Sequence, residues 1–209
     1  MPSTIKDFHR GSLRSFAPIL KQWMRLNSEI AHSWRSVRDV PWWYNERASL
    51  SVFAGAIWRA GGFAFEEYSD AKRRIKKTTG TLGHKYPGRV DLHFSWERFD
   101  FVAEAKFVWS GFSRNNNAQR RLRDWLDWAC DDIRQTPRRG QRKLGILFAT
   151  PYFRKQYMDE VNNRICAWTE LLNDLDATAY AWVFPDCARN LRGYDKLYYP
   201  GTAVIMREV

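Results

Sequence analysis

With 209 residues, 44% of them hydrophobic and 16% aromatic, the chain is long enough to bury a core and too apolar to be disordered. Its formal charge of +11 points to a polyanionic partner, nucleic acid ahead of an anionic membrane surface. No window reaches the roughly 18 apolar residues of a membrane span, and MPSTIKDFHRGSLRSF lacks the apolar stretch of a signal peptide, so a soluble, cytoplasmic protein with no membrane partner is expected.

In chain order, SFAPILKQWMRLNSEIAHSW carries Ile19, Leu20, Trp23, Leu26 and Ile30 at mostly helical spacing, and residues 1–38 read as an N-terminal helical extension. A second helix follows, with Asp39 as its cap, Pro41 in its first turn and Gly61-Gly62 as its stop. Glu46, Ser49, Leu50, Phe53, Ile57 and Ala60 fall along one face of it, which places Glu46 at the N-terminal end of an apolar stripe. The period then changes to that of strands: FAFEEY, GRVDLHF and FDFVAEAKFVW, the last two joined by the turn SWER. AQRRLRDWLDWACDDIRQT has Leu122, Trp125, Leu126, Ala129 and Ile133 at helical spacing, and LGILFAT is an apolar run suited to a strand covered on both faces. A helix over KQYMDEVNNRICAWTELLND and the strands AYAWVF and TAVIMRE complete an α/β order, a mixed central sheet flanked by helices. Most of the eleven tryptophans suit packing, with a few left to stack on bases.

The chemistry concentrates in GRVDLHFSWERFDFVAEAK. Strand alternation puts Val90, Leu92 and Phe94 on one face of the first strand of this hairpin and Asp91 and His93 on the other. In its second strand Glu104 and Lys106 share a face, about 6.6–6.8 Å apart along the chain. A hairpin pairing brings Asp91 toward the same edge. Two carboxylates converging from adjacent strands make a hard-oxygen site for Mg²⁺ or Mn²⁺, and a lysine beside them suits the charge developed in phosphodiester hydrolysis. The plainer reading is a local ion pair of Lys106 with Asp91 or Glu104.

The pattern GRVD, a turn and an apolar strand containing Glu104-Ala105-Lys106, with Glu46 on the helix before and an α-β pair after, resembles the PD-(D/E)XK, or restriction-endonuclease-like, nucleases. The resemblance spans about Pro41 to Phe184, although Val90 stands where the family name has proline. It implies a restriction-endonuclease-like core (αβββαβ) over residues 39–209 behind the N-terminal extension. It further implies that Asp91 and Glu104 bind the divalent metal, that Glu46 is an auxiliary ligand and that Lys106 assists the water nucleophile. The implied activity is a Mg²⁺-dependent (or Mn²⁺-dependent) endonuclease cutting DNA, of the kind used in defence or DNA processing, with RNA as a second possibility and a homodimer as a compatible assembly.

The remaining features are read with less force. AKRRIKKTTGTLGHKYPGR links two predicted strands and carries Lys72, Arg73, Arg74, Lys76, Lys77, His84, Lys85 and Arg89, a set able to grip phosphates or simply to form a solvated loop. Arg120, Arg121 and Arg123 could extend it. Gln119 and His93 are candidates for the site's edge, with an ordinary hydrogen-bonded role as the alternative for His93. Asp131-Asp132 and Asp159-Glu160 read as helix-surface charges. Cys130, Cys166 and Cys187, three in number and without a CxxC pair, argue against a disulfide framework and a cysteine-rich zinc site. No Walker-type phosphate loop or nucleophile-elbow serine is present. The alternative functions are a catalytically inactive nucleic-acid-binding or assembly protein on the same fold and a structural subunit whose basic face meets an acidic protein.

Overall fold

A computed structural model describes residues 5–9, 13–75, 82–112, 117–137 and 140–209; side chains within 70–87 and that of Ile5 are outside the description. The described chain is α/β. It forms β1 (Ile5–His9), α1 (Ala17–Ser33), α2 (Glu46–Ala60), β2 (Phe63–Ile75), β3 (Leu82–Trp96), β4 (Phe99–Gly111), α3 (Asn117–Arg134), β5 (Arg142–Tyr152), α4 (Val161–Glu170), β6 (Ala179–Phe184) and β7 (Thr202–Glu208). The seven strands make one mixed sheet in the order β1-β6-β7-β5-β4-β3-β2. Only β4 and β5 pair in parallel, across the α3 connection.

Helices cover both faces. On one, α1 and α2 bring Phe16, Leu20, Trp23, Phe53 and Ile57 onto Leu92, Phe94, Phe101, Ala103, Ile146 and Phe148. On the other, α3 and α4 bring Leu122, Leu126, Ile165 and Trp168 onto Val108, Leu147, Ala149 and Ile205. The central strand β5 is buried without a break from Leu144 to Pro151, as its unbroken apolar run requires. The N-terminal segment joins this packing: α1 supplies Ile19, Leu20, Trp23 and Met24 to the larger core, and β1 adds a strand beside β6. Nothing in that polar stretch of sequence marks a strand.

Three boundaries differ from the sequence expectation. The cap of α2 is Asn45, whose side chain accepts the Ala48 N–H at 3.1 Å. Asp39 instead accepts the Val40 N–H and the Tyr44 hydroxyl, and Pro41 opens a separate 3-10 turn, Pro41–Trp43. The expected stop holds: Gly61 has φ +99° and its N–H meets the Trp58 carbonyl, a left-handed cap that glycine adopts without a Cβ penalty. The helix expected over 155–174 is broken into α4 between two 3-10 turns, Lys155–Glu160 and Leu171–Asp174. Finally, the segment expected as a linking loop is strand in its described parts: β2 and β3 stay paired out to Lys72↔Tyr86, Arg73↔Lys85 and Ile75↔Leu82.

Candidate active site

The site is built where the sheet forks. The β3–β4 ladder runs from Trp96↔Phe99 to Leu92↔Ala103 and stops there. Beyond that point β4 continues along β5 to Gly111, while β3 continues along β2. Asp91 is the first residue of β3 past the fork, one step on from the last ladder pair and opposite Glu104. Its Oδ2 accepts the Ala105 N–H at 2.8 Å, so a carboxylate takes the place of the missing backbone acceptor. The β2 side is irregular at the same level: Glu66↔Leu92 and Tyr68↔Val90 pair, but Glu67 between them has φ +51°, rare for a residue with a Cβ. Strict alternation fails here. Leu92 belongs to the α1/α2 core, whereas Val90, expected on the same face, packs with Val102 and Ile133. The strand turns about Asp91.

Glu104 and Lys106 come from β4, on the face toward α3. Glu104 is 3% exposed and pairs in register with Gly145 of β5. A Cβ on Gly145 would lie 2.5 Å from the Cys130 sulfur and 2.8 Å from its backbone nitrogen; the bare glycine lets α3 seat directly on the sheet. That close approach delivers Asp132 to Lys106. Their Oδ2 and Nζ are 2.8 Å apart with side chains 28% and 13% exposed, and the ammonium lies 5.0 Å from the centre of the Trp128 ring, within cation–π range. Burial alone would depress the Lys106 pKa. The Asp132 hydrogen bond and charge, followed by Glu46 and Asp91, outweigh it and hold the ammonium above its ordinary value.

Glu46 is the first residue of α2, half-buried at a helix N-terminus that favours anions. Its pKa is nevertheless raised, first by burial and next by the charge of Asp91, against a smaller opposing effect of Lys106. Three of the four predicted residues, Glu46, Asp91 and Lys106, thus share one electrostatic neighbourhood, and Asp132 joins it; Glu104 stands beside it on β4, two residues from Lys106. Asp132 is not the surface charge its sequence context suggests: it is half-buried and paired. A signal exists in the sequence, since Trp125, Trp128 and Asp132 recur at helical spacing along the edge of the α3 apolar stripe.

The other expected residues lie elsewhere. His93 Nε2 is 3.4 Å from the Gln141 amide, and its ring tilts against Tyr68 at 5.0 Å, an ordinary structural setting. Gln119 bonds Asp174 at 3.1 Å and stands at the far end of α3 from Asp132, about 20 Å along the axis; it is not an edge of this site. Arg120 is exposed and 3.9 Å from Asp124, also on the far half of α3. Arg121 and Arg123 are exposed on the same helix. Arg89 is exposed and closer to the fork: it meets Glu67 at 2.7 Å, and Glu67 meets Arg47 at 2.5 Å. Lys72, Arg73, Arg74, His84 and Lys85 lie on the described backbone of the β2–β3 arm, and Lys76 and Lys77 lie outside the described residues.

The donor set suits a hard divalent cation by type. Glu46, Asp91 and Asp132 act on one ammonium, with the buried Glu104 two residues from it on β4; burial first and the charge of Asp91 second raise Glu46, and a cation would offset both. Two carboxylates suffice for Mg²⁺, which keeps most of its water. The acids do not converge further: among the described residues, the one set of three or more His, Cys, Asp or Glu whose ligand atoms lie within 4.8 Å of one another is His32, Asp186 and Cys187. Comparison of the chain with family models, curated proteins and solved structures finds no match to it.

Proposed function

We propose that this protein is a metal-dependent nuclease that hydrolyses phosphodiester bonds in DNA, on a restriction-endonuclease-like core. The observation that carries the proposal is the fork: Asp91 sits where the β3–β4 ladder ends, its carboxylate on the Ala105 N–H, with buried Glu104 and the Lys106 ammonium on the strand across from it. Asp91 and Glu104 would hold Mg²⁺ or Mn²⁺, with Glu46 as auxiliary ligand; when bound, the ion polarises a phosphoryl oxygen and acidifies a water. Lys106 stays protonated at neutral pH, because its pKa is raised. It therefore works as a fixed cation that stabilises charge on the phosphate and orients the attacking water, not as a base. Asp132 is a positioning residue for Lys106. The basic β2–β3 arm, with seven Lys or Arg and one acid from Ser69 to Arg89, supplies phosphate-binding charge next to the fork.

A binding-only protein on the same fold is the second reading, favoured by the Lys106–Asp132 pair, which already satisfies the lysine. The two readings part in one experiment. Supercoiled, linear and single-stranded DNA and RNA are incubated with purified protein, with and without Mg²⁺ or Mn²⁺. Metal-dependent strand cleavage of DNA is the expected result; salt-sensitive binding to the same substrates without cleavage in either metal selects the second reading.

A further inference from the structure

Away from the fork, the last turn of α1 meets the 3-10 turn Asp186–Ala188 that follows β6. Here His32 Nδ1 lies 2.9 Å from the Ser28 carbonyl, one helical turn back. Donation to that carbonyl fixes the proton on Nδ1 and leaves the lone pair on Nε2, the arrangement by which a metal-binding histidine is oriented. Nε2 is the nitrogen that faces Asp186, at 3.5 Å from Oδ1. The Cys187 sulfur is 3.6 Å from the Nδ1 edge of the same ring. One ligand atom of each of the three residues lies within 4.8 Å of the others.

One of these separations is informative. At 3.5 Å the Nε2–Oδ1 contact is too long for a good hydrogen bond, whose N···O distance is about 2.7–3.2 Å. It matches the spacing of neighbouring nitrogen and oxygen ligands around a tetrahedral zinc, about 3.3–3.5 Å for bond lengths of roughly 2.0–2.2 Å. One imidazole, one thiol and one carboxylate are also the donor types of a borderline metal, unlike the all-oxygen set at the fork. The thiol, now 3.6 Å from Nδ1, would have to turn toward the metal to complete the set. His32 is exposed and the other two residues half-exposed, which leaves a fourth position open to water.

We propose that His32, Asp186 and Cys187 form a zinc site that ties the end of α1 to the turn after β6. The site bridges two segments 155 residues apart in sequence and lies beside the small core of Ala31, Val40, Trp42, Ala188, Leu191 and Tyr199. Spacing could not disclose it, because only the fold brings the histidine to the Asp-Cys pair. It stands independently of the nuclease proposal.

Cobalt(II) reports the ligands directly. Metal-free full-length protein titrated with Co²⁺ should develop tetrahedral visible bands and a near-ultraviolet thiolate-to-cobalt band, saturating near one equivalent and displaced by Zn²⁺. In Cys187→Ser the thiolate band should vanish, and His32→Gln should bind at least about tenfold more weakly while its circular dichroism spectrum stays that of the parent. Absence of a thiolate band in the parent at micromolar protein, or its persistence unchanged in Cys187→Ser, would overturn the proposal.

Discussion

Lys106 is held by opposed forces, and its partner decides the outcome. Burial disfavours the ammonium, while Asp132 at 2.8 Å, joined by Glu46 and Asp91, more than restores it. In Asp132→Asn the ammonium keeps an acceptor but loses the charge, and chemical denaturation should register a loss of about 1–3 kcal/mol. The sign in pH follows from the raised lysine pKa: the contribution is complete below the ordinary value of 10.5 and is lost as pH rises through the higher folded value. The deficit of Asp132→Asn should therefore persist at neutral pH and shrink only in strong alkali. Glu46 behaves in the opposite sense. Its pKa is raised above 4.5 by burial and then by Asp91, so its ionised form costs the folded protein stability above that raised pKa, and nothing once both states are protonated. Glu46→Gln should raise the melting temperature at neutral pH, the gain fading as pH falls toward 4.5. Added Mg²⁺ should narrow the gap by stabilising the parent more than the variant.

Between elements, the seat of α3 on the sheet is what turns a lysine on a strand into a paired one. Gly145→Ala would put a methyl 2.8 Å from the Cys130 nitrogen, and backbone cannot yield as a side chain can; overpacking of this kind costs about 1–3 kcal/mol. Displacing α3 should also loosen Asp132 from Lys106, so thermal stability and cleavage rate should fall together. Much of this layer is legible in the sequence. Helical spacing locates the α1, α2 and α3 stripes, and the apolar run of β5 marks a strand covered on both faces. Period-two reasoning places Glu104 and Lys106 together on β4, but it assigns Val90 to the face of Leu92, because a pattern of residues carries no mark of a ladder that ends. The turn at Asp91 depends on Glu67 at φ +51° and on β4 leaving for β5, both products of tertiary pairing. Asp132 escapes a reading of the sequence for the same reason: its partner Lys106 sits on another element.

Across the whole molecule, the +11 charge has an architectural outlet. β2 is an edge strand, and with β3 it runs past the fork as a two-stranded arm that carries most of a basic run. At its outer edge one backbone acceptor is taken: the Trp58 indole N–H donates to the Ala64 carbonyl at 3.1 Å, which leaves one acceptor fewer for strand addition. Replacing Lys72, Arg73, Arg74, Lys76 and Lys77 by glutamine should weaken DNA binding across sequences alike, and should flatten the plot of log affinity against log salt by about 0.9 for each phosphate no longer neutralised. At the opposite edge, among the described residues, β1 pairs with β6 alone. Among the described residues no helix is long and apolar enough to cross a membrane. The most direct measurement is the initial rate of plasmid cleavage in Mg²⁺ or Mn²⁺ for the parent, Asp91→Asn and Lys106→Ala, each verified as folded by circular dichroism. Metal-dependent cleavage by the parent, reduced at least about a hundredfold in both variants, is the predicted result; cleavage undiminished in both, or none by the parent in either metal, would contradict a nuclease centred on the Asp91 fork.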